Sequence, residues 1–383
     1  MWVEELQSDG EGRWTRSDGS PPDREPMLVL LFGPTDALRT SDAVASLALH
    51  FPSAIHVGCS SGTTVNHGGL SDEKLSAVAI GFEHTQIRLS THSLACADSS
   101  RDVGFALGRD LGGPDLAGVL VLSDGLCVNG SALVDGIVSA CGPNVAVSGG
   151  LAGDGDRFAS TVLVINGKPV LGAVAAIGLY GSAIRISHGS AGGWDEFGPM
   201  RRITSASGNV LAELDGKPAL DLYERYLGDE AAGLPASALF YPLKVWDPAR
   251  PDDAVVRTVL AVDRTTRTMT FAGDIPEGYC ARLMRGSFDR LIDGAGEAAL
   301  LARNGLGAAG TTAGLCLLVS CVGRRLLMGQ RTEEEYDAIA SVLGHATPIA
   351  GFYSYGEISP NNRTGACGLH NQTVTLTLLA EAA

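Results

Sequence analysis

One pattern constrains this chain more than any other, and it occurs three times. A short apolar run is followed by a polar loop and a helical stretch, and then by a second apolar run cut by glycine. The first runs are residues 28–32 (LVLLF), 119–122 (VLVL) and 316–319 (CLLV); the second are 55–62 (IHVGCSSG), 145–155 (VAVSGGLAGDG) and 348–356 (PIAGFYSYG). From Leu31 to Gly58 is 27 positions, from Leu122 to Gly149 again 27, and from Val319 to Gly351 32. Apolar runs without alternation fit strands covered on both faces. The repeat therefore predicts three strand–helix–strand units delivering glycine turns to one rim. The copies are separated by unlike insertions, which excludes a solenoid.

The segments after the turns recur as well: Ile80-Gly81 with 87–90 (IRLS) is echoed by Ile177-Gly178 with 184–187 (IRIS). Residues 76–81 and 85–89 read as an antiparallel pair. Asn166-Gly167 predicts a hairpin with a type I′ turn. Thr332 to Glu335 reads as a capping box opening a helix that ends at Gly344. Residues 238–241, 255–262 and 268–271 read as strands. The polar segment 1–25, with Pro21-Pro22, reads as a flexible tail. A break at Gly216-Lys217-Pro218 divides the remainder into domains 26–215 and 216–383. The expected class is α/β: repeated strand-helix-strand units with added hairpins, mixed sheets and two domains.

Of 383 residues 45% are apolar, enough for a substantial core, and the formal charge is −15. That charge repels nucleic-acid backbones and anionic membranes, and the Arg201-Arg202 and Arg324-Arg325 pairs are too small to reverse it. No apolar run reaches the roughly 18–20 residues of a membrane-spanning helix. An acidic start without a basic and apolar leader pattern favours a cytoplasmic location. The eight cysteines are scattered, several within apolar runs, and read as buried thiols; Cys316 and Cys321 lack the second pair a zinc site needs.

A strand, a glycine turn and a helix outline a dinucleotide fold, but no G-x-G-x-x-G opens a helix here. There is no phosphate-loop lysine, no H-E-x-x-H and no G-x-S-x-G, and no metal site or catalytic set is expected. Strands ending together in glycine turns make a rim suited to a small polar ligand. An amino-acid-like ligand needs a guanidinium for its carboxylate and an acid for its ammonium. Arg157 or Arg324 with Asp154 or Glu357 could supply these, and Gly149, Gly150, Tyr353, Ser354 and Tyr355 complete the candidate ligand-binding set. The competing reading is architectural, with glycines that only permit tight strand exits. His188, followed by small residues in HGSAGGW, is the candidate if the ligand is haem.

In 148–155 (SGGLAGDG), His188-Gly189-Ser190 with Gly193-Trp194, Ser320 to Arg324, 352–358 (FYSYGEI) and 369–373 (LHNQT), the sequence resembles the FIST proteins, with both a FIST N and a FIST C domain. The resemblance spans about residues 27–379. It implies a sensory module of signal transduction of bacterial type that binds a small ligand such as an amino acid. In one branch of the family it implies haem and a response to nitric oxide. Such modules act with histidine kinases or second-messenger enzymes, so signalling through a partner protein is expected. An enzyme acting on a small metabolite is the further alternative.

Overall fold

Because the repeated strands are apolar on both faces, each must be covered twice. The computed structural model, which describes residues 1–8, 12–16, 24–40, 42–95, 97–307 and 313–382, shows how this is done. Three sheets follow one plan. Each centres on a parallel pair: Leu28–Gly33 with Ile55–Ser60, Leu116–Ser123 with Ala146–Leu151, and Leu315–Cys321 with Ile349–Ser354. Each pair is flanked by an antiparallel strand, Leu75–Gly81, Ala173–Tyr180 or Val374–Glu381.

The repeats do not share one sheet, and none is self-sufficient. The hairpin Leu163–Ile165/Lys168–Val170 of the second repeat pairs with Ile55–Ser60 of the first. The hairpin Gly356–Pro360/Cys367–His370 of the third pairs with Ala146–Leu151 of the second. Thr64–Asn66/Gly69–Ser71 of the first pairs with Ile349–Ser354 of the third, closing the cycle. On the other edge, Gln86–Ser93 and Ile184–Ala191 each cross to the next sheet. The expected pairing of 76–81 with 85–89 is thus corrected: the two are consecutive in sequence but lie in different sheets, because the second strand is the missing edge of the next unit.

The flexible-tail expectation for 1–25 is likewise corrected for Trp2–Ser8. This strand pairs with Leu75–Gly81 over its whole length and supplies to the first sheet the edge that Gln86–Ser93 and Ile184–Ala191 supply to the others. Alternation is the reason: Glu4, Leu6 and Ser8 are buried while their neighbours are partly exposed. Residues 9–11 and 17–23 lie outside the described residues. The Met1 ammonium is 3.0 Å from Glu381 Oε2. Burial pushes the Glu381 carboxyl up, but donors from the Glu83 and His84 amides and the Thr85 hydroxyl outweigh it and hold it down at about 2.

The inner faces of the three sheets meet in one core containing Leu28, Leu30, Phe32, Leu122, Ile177, Val319 and Phe352. The Phe32 and Phe352 rings stack at 4.9 Å. The outer faces are covered by helices: Asp42–His50 through Val44 and Leu47, Gly130–Cys141 through Leu133 and Ile137, and Phe288–Gly305 with Thr332–Leu343 through Ala295, Ala298 and Ile339. Each buried Leu or Ile contributes about 2 kcal/mol through removal of apolar area from water.

The second body is a lobe on a fourth sheet, in which Trp194–Ser207 pairs with Cys280–Gly286 and Val210–Leu214. Its core joins Leu220 and Tyr223 of the helix Ala219–Leu227 to Phe271 and Leu283. The chain is therefore α/β with mixed sheets and two bodies, as expected. The break at Gly216-Lys217-Pro218 falls inside the lobe, and residues 315–381 return to the three-sheet body. The segment 255–262 is two strands, Arg250–Arg257 and Val259–Asp263, at opposite edges of the lobe sheet, and 238–241 is no strand but the end of a 3-10 turn, Ala236–Phe240, with Tyr241 as its C-cap. Arg257, buried, joins the bodies by donating from Nη1 to Leu369 O at 3.0 Å, and Asn129 Nδ2 donates to Asp274 Oδ1 at 3.0 Å.

The repeated glycines have one physical role. A Cβ on Gly58, Gly149 or Gly351 would lie 2.1, 1.9 or 1.8 Å from the carbonyl oxygen of Leu31, Val121 or Leu318, each its partner on the adjacent parallel strand. Gly149 also sits at φ +134, whereas Gly351 is outside the left-handed region, so at Gly351 only the close approach excludes a side chain. Gly351→Ala is expected to cost about 3 kcal/mol through overpacking, read as a lowered melting temperature; unchanged melting would show that the carbonyl contact is not limiting.

Candidate functional site

The glycine turns do converge, but they satisfy one another. Gly153 N donates to Ser60 O at 2.8 Å, Tyr355 N to Leu151 O at 3.2 Å, and Tyr353 N to Thr63 O at 3.0 Å. Ser61 Oγ adds a bond to Tyr353 O at 2.9 Å. The rim is a backbone lattice across all three repeats.

Most of the sequence-derived ligand set is consumed there. Gly149 and Gly150 lie against neighbouring strands; a Cβ on Gly150 would meet Val319 Cγ1 at 2.7 Å. Asp154 is buried and accepts from Thr35 Oγ1 at 2.5 Å, from Arg157 Nη2, and from Ser160 N at 3.3 Å. Burial pushes its carboxyl up, but these bonds outweigh it and hold it below the usual carboxylate range. Arg157 also reaches Asp36. The Tyr355 hydroxyl bridges Gly155 O at 3.1 Å and Phe158 N at 3.2 Å, and its ring stacks on Phe158 at 4.5 Å.

Arg324 is fully buried. Its Nε donates to Glu335 Oε2 at 2.7 Å, Nη1 to Gly192 O at 2.6 Å and Nη2 to Leu291 O at 2.9 Å. Glu335 Oε1 accepts from Ser320 Oγ at 2.8 Å and from Tyr353 OH at 2.9 Å. The capping-box expectation at Thr332 is corrected by the same network: Glu335 is drawn into the core, and the Thr332 hydroxyl donates to Gly329 O at 2.6 Å. Glu357, also fully buried, accepts from Ser354 Oγ at 2.8 Å and from Thr373 N and Oγ1 at 3.1 and 2.9 Å. Burial raises its carboxyl to about 8 despite these donors.

His188 stands on the strand Ile184–Ala191 beside Thr377, with Nδ1 3.4 Å from Thr377 Oγ1 and Nε2 buried without a partner. Burial lowers it to about 4. It lines neither the cleft between the bodies nor the small cavity of the lobe.

The open space lies where the two bodies meet: a cleft of about 430 Å³, within the range of small-molecule sites. One wall is a face of the helix Phe288–Gly305 carrying Arg290, Asp293 and Glu297 at helical spacing. The lining also includes Lys244 and residues 254–256 of the lobe, with Asn362, Arg363 and His370 from the exchanged hairpin of the third repeat. The floor is Ser190 to Trp194. Gly193 has φ +68, and a Cβ there would lie 2.0 Å from Arg290 O, so the connection presses on the helix. Trp194 Nε1 donates to Gln372 O at 2.7 Å, and Asn362 Oδ1 accepts from Ser190 N at 3.0 Å. A second cavity, lined by Phe197, Tyr223 and Leu243 in the lobe, holds only about 20 Å³, room for roughly one water. The HGSAGGW and LHNQT segments carried the sequence signal for the cleft. Lys244, Asp293 and Glu297 had none, since charged residues scattered on unrelated elements meet only through the fold.

Two outcomes test these assignments. Glu335→Gln should cost about 3–5 kcal/mol, because it leaves the Arg324 guanidinium buried and unpaired; wild-type melting would remove Arg324 from the core network. Glu357 holds its proton in the folded chain up to about pH 8 but loses it near 4.5 when unfolded. Its stabilising contribution is complete below 4.5 and lost as pH rises through 8. The melting temperature of Glu357→Gln should therefore gain on wild type between about pH 5 and 9; a difference independent of pH would contradict this protonation.

Residues 27–217 match the FIST N domain and residues 219–360 the FIST C domain. No curated protein matches the chain. Among solved structures, a cyanuric acid hydrolase from A. caulinodans is similar over 100% of this chain and 99% of its own at 10% identity, with a TM-score of 0.36 that is too low to transfer fold or activity. No helix among the described residues is long and apolar enough to cross a membrane. FIST domains are sensory domains of signal transduction that bind small ligands, and this chain, matched by both halves of the pair, belongs to the FIST family.

Proposed function

We propose that this FIST protein is a cytoplasmic sensor that binds a small amino-acid-like molecule in the cleft between its two bodies and signals through a partner protein, such as a histidine kinase or second-messenger enzyme. The observation that carries this reading is the cleft itself: about 430 Å³, with Gly192, Gly193 and charges of both signs in its lining. Asp293 and Glu297 can face an ammonium, and the guanidinium donors that Arg290 and Arg363 do not spend on Asp195 and Asp252 a carboxylate. The cleft joins the lobe to the three-sheet body, so an occupant touching both favours one relative position over others, which is what a sensor needs. A cytoplasmic setting agrees with seven described cysteines that are all free thiols. Serine and acid groups of the glycine rim are spent on one another, which favours binding over turnover.

Thermal-shift measurements against the twenty amino acids test this. A ligand at a hundredfold excess over Kd stabilises by about 2.7 kcal/mol. Ala254→Trp, which places an indole in the cleft wall, should abolish the shift. No shift with any amino acid, or one that survives Ala254→Trp, would refute binding in the cleft.

A further inference from the structure

Resting on the cleft reading, the unspent hydrogen-bonding capacity of the cleft identifies the class of ligand. Every cation in the lining already faces a carboxylate: Lys244 Nζ is 2.7 Å from Glu196, Arg290 Nη2 2.8 Å from Asp195, and Arg363 Nη1 2.8 Å from Asp252. The carboxylates of Asp293 and Glu297, one turn apart on the exposed face of the helix, have no such partner among the described residues. Each lining cation is thus held by an acid, with Glu196 also serving Arg282, whereas Asp293 and Glu297, whose charges act on Arg290 of the same helix, make no ion pair of their own among the described residues.

A second observation, independent of the acids, points the same way. His370 is 7% exposed and lines the cleft. Its Nε2 lies 3.0 Å from the Ser359 carbonyl oxygen, which can only accept, so Nε2 carries the proton. Nδ1 is then a bare acceptor with no partner among the described residues, and it is not among the sealed, unpartnered atoms of the interior, so on a residue that lines the cleft it remains accessible. Burial keeps the ring neutral, lowering it to about 4. Two carboxylates and an imidazole lone pair all require donors, and the Trp194 indole in the floor adds an aromatic face that attracts cations.

We infer that the cleft selects an amine-bearing cation, a basic amino acid or a short diamine, over neutral and acidic amino acids. A ligand ammonium has the three donors needed to engage Asp293 or Glu297 together with His370 Nδ1, and a second cationic end answers the second carboxylate.

Calorimetric titration of the full chain with L-lysine, L-arginine and 1,4-diaminobutane, against L-leucine and L-glutamate, tests the inference. The three cations are expected to bind at least tenfold more tightly than the other two. Asp293 and Glu297 are exposed, so Asp293→Asn and Glu297→Gln should fold normally, and each should weaken L-lysine at least tenfold without changing the melting temperature of the free protein. Tighter binding of L-leucine or L-glutamate that Ala254→Trp abolishes would overturn the cation preference and leave the cleft as the site. Binding of L-lysine unchanged in both carboxylate variants would also overturn it. No binding by any of the five would overturn both readings.

Discussion

At the same place in each of the three repeats a main-chain carbonyl oxygen occupies the position where a side chain would begin. Leu31, Val121 and Leu318 press their oxygens onto Gly58, Gly149 and Gly351, which draws each parallel pair together just before its second strand leaves the sheet. The strand exits can then turn inward and bond across the repeats, and each repeat passes its next hairpin to a neighbour. The exchange is cyclic, so removing any one hairpin strips an edge from a sheet of another repeat. Burial of the shared core by all three inner faces makes the arrangement cooperative.

This closure decides where function can reside. A rim of strand ends is the usual ligand-binding place in an open α/β sheet because its backbone groups and side chains are free. Here they are occupied, with Asp154 held by Thr35 and Arg157, and Tyr353 by Glu335. The free groups lie instead where the chain leaves the three-sheet body at Trp194 and where the third repeat's hairpin meets the lobe. Arg324 belongs to the support of that place: it spans Glu335, Leu291 and the Gly192 carbonyl, linking the buried network to the cleft floor.

The three-fold repeat was legible because parallel strands buried on both faces leave uninterrupted apolar runs, and because the glycine contact tolerates no other residue. The Asn166-Gly167 turn was legible for the same kind of reason, both residues having positive φ. Strand exchange was not, since a strand that pairs with its neighbour in sequence reads the same as one that crosses to the next sheet. Trp2–Ser8 reads as a tail because its adjacent glutamates, Glu4 and Glu5, resemble a solvated segment until Leu75–Gly81 is placed beside it. The site residues divide in the same way. Backbone devices such as Gly192-Gly193 announce themselves locally, whereas the meaning of Asp293, Glu297 or Lys244 depends on what the fold sets opposite them.

The most direct test of the account is backbone hydrogen exchange with and without L-lysine. Occupation of the cleft should slow exchange across residues 190–194, 252–256 and 361–373, while 153–157 and 353–357 remain unchanged. Protection confined to 153–157 and 353–357, with the cleft segments unaffected, would return the ligand to the glycine rim and contradict the account.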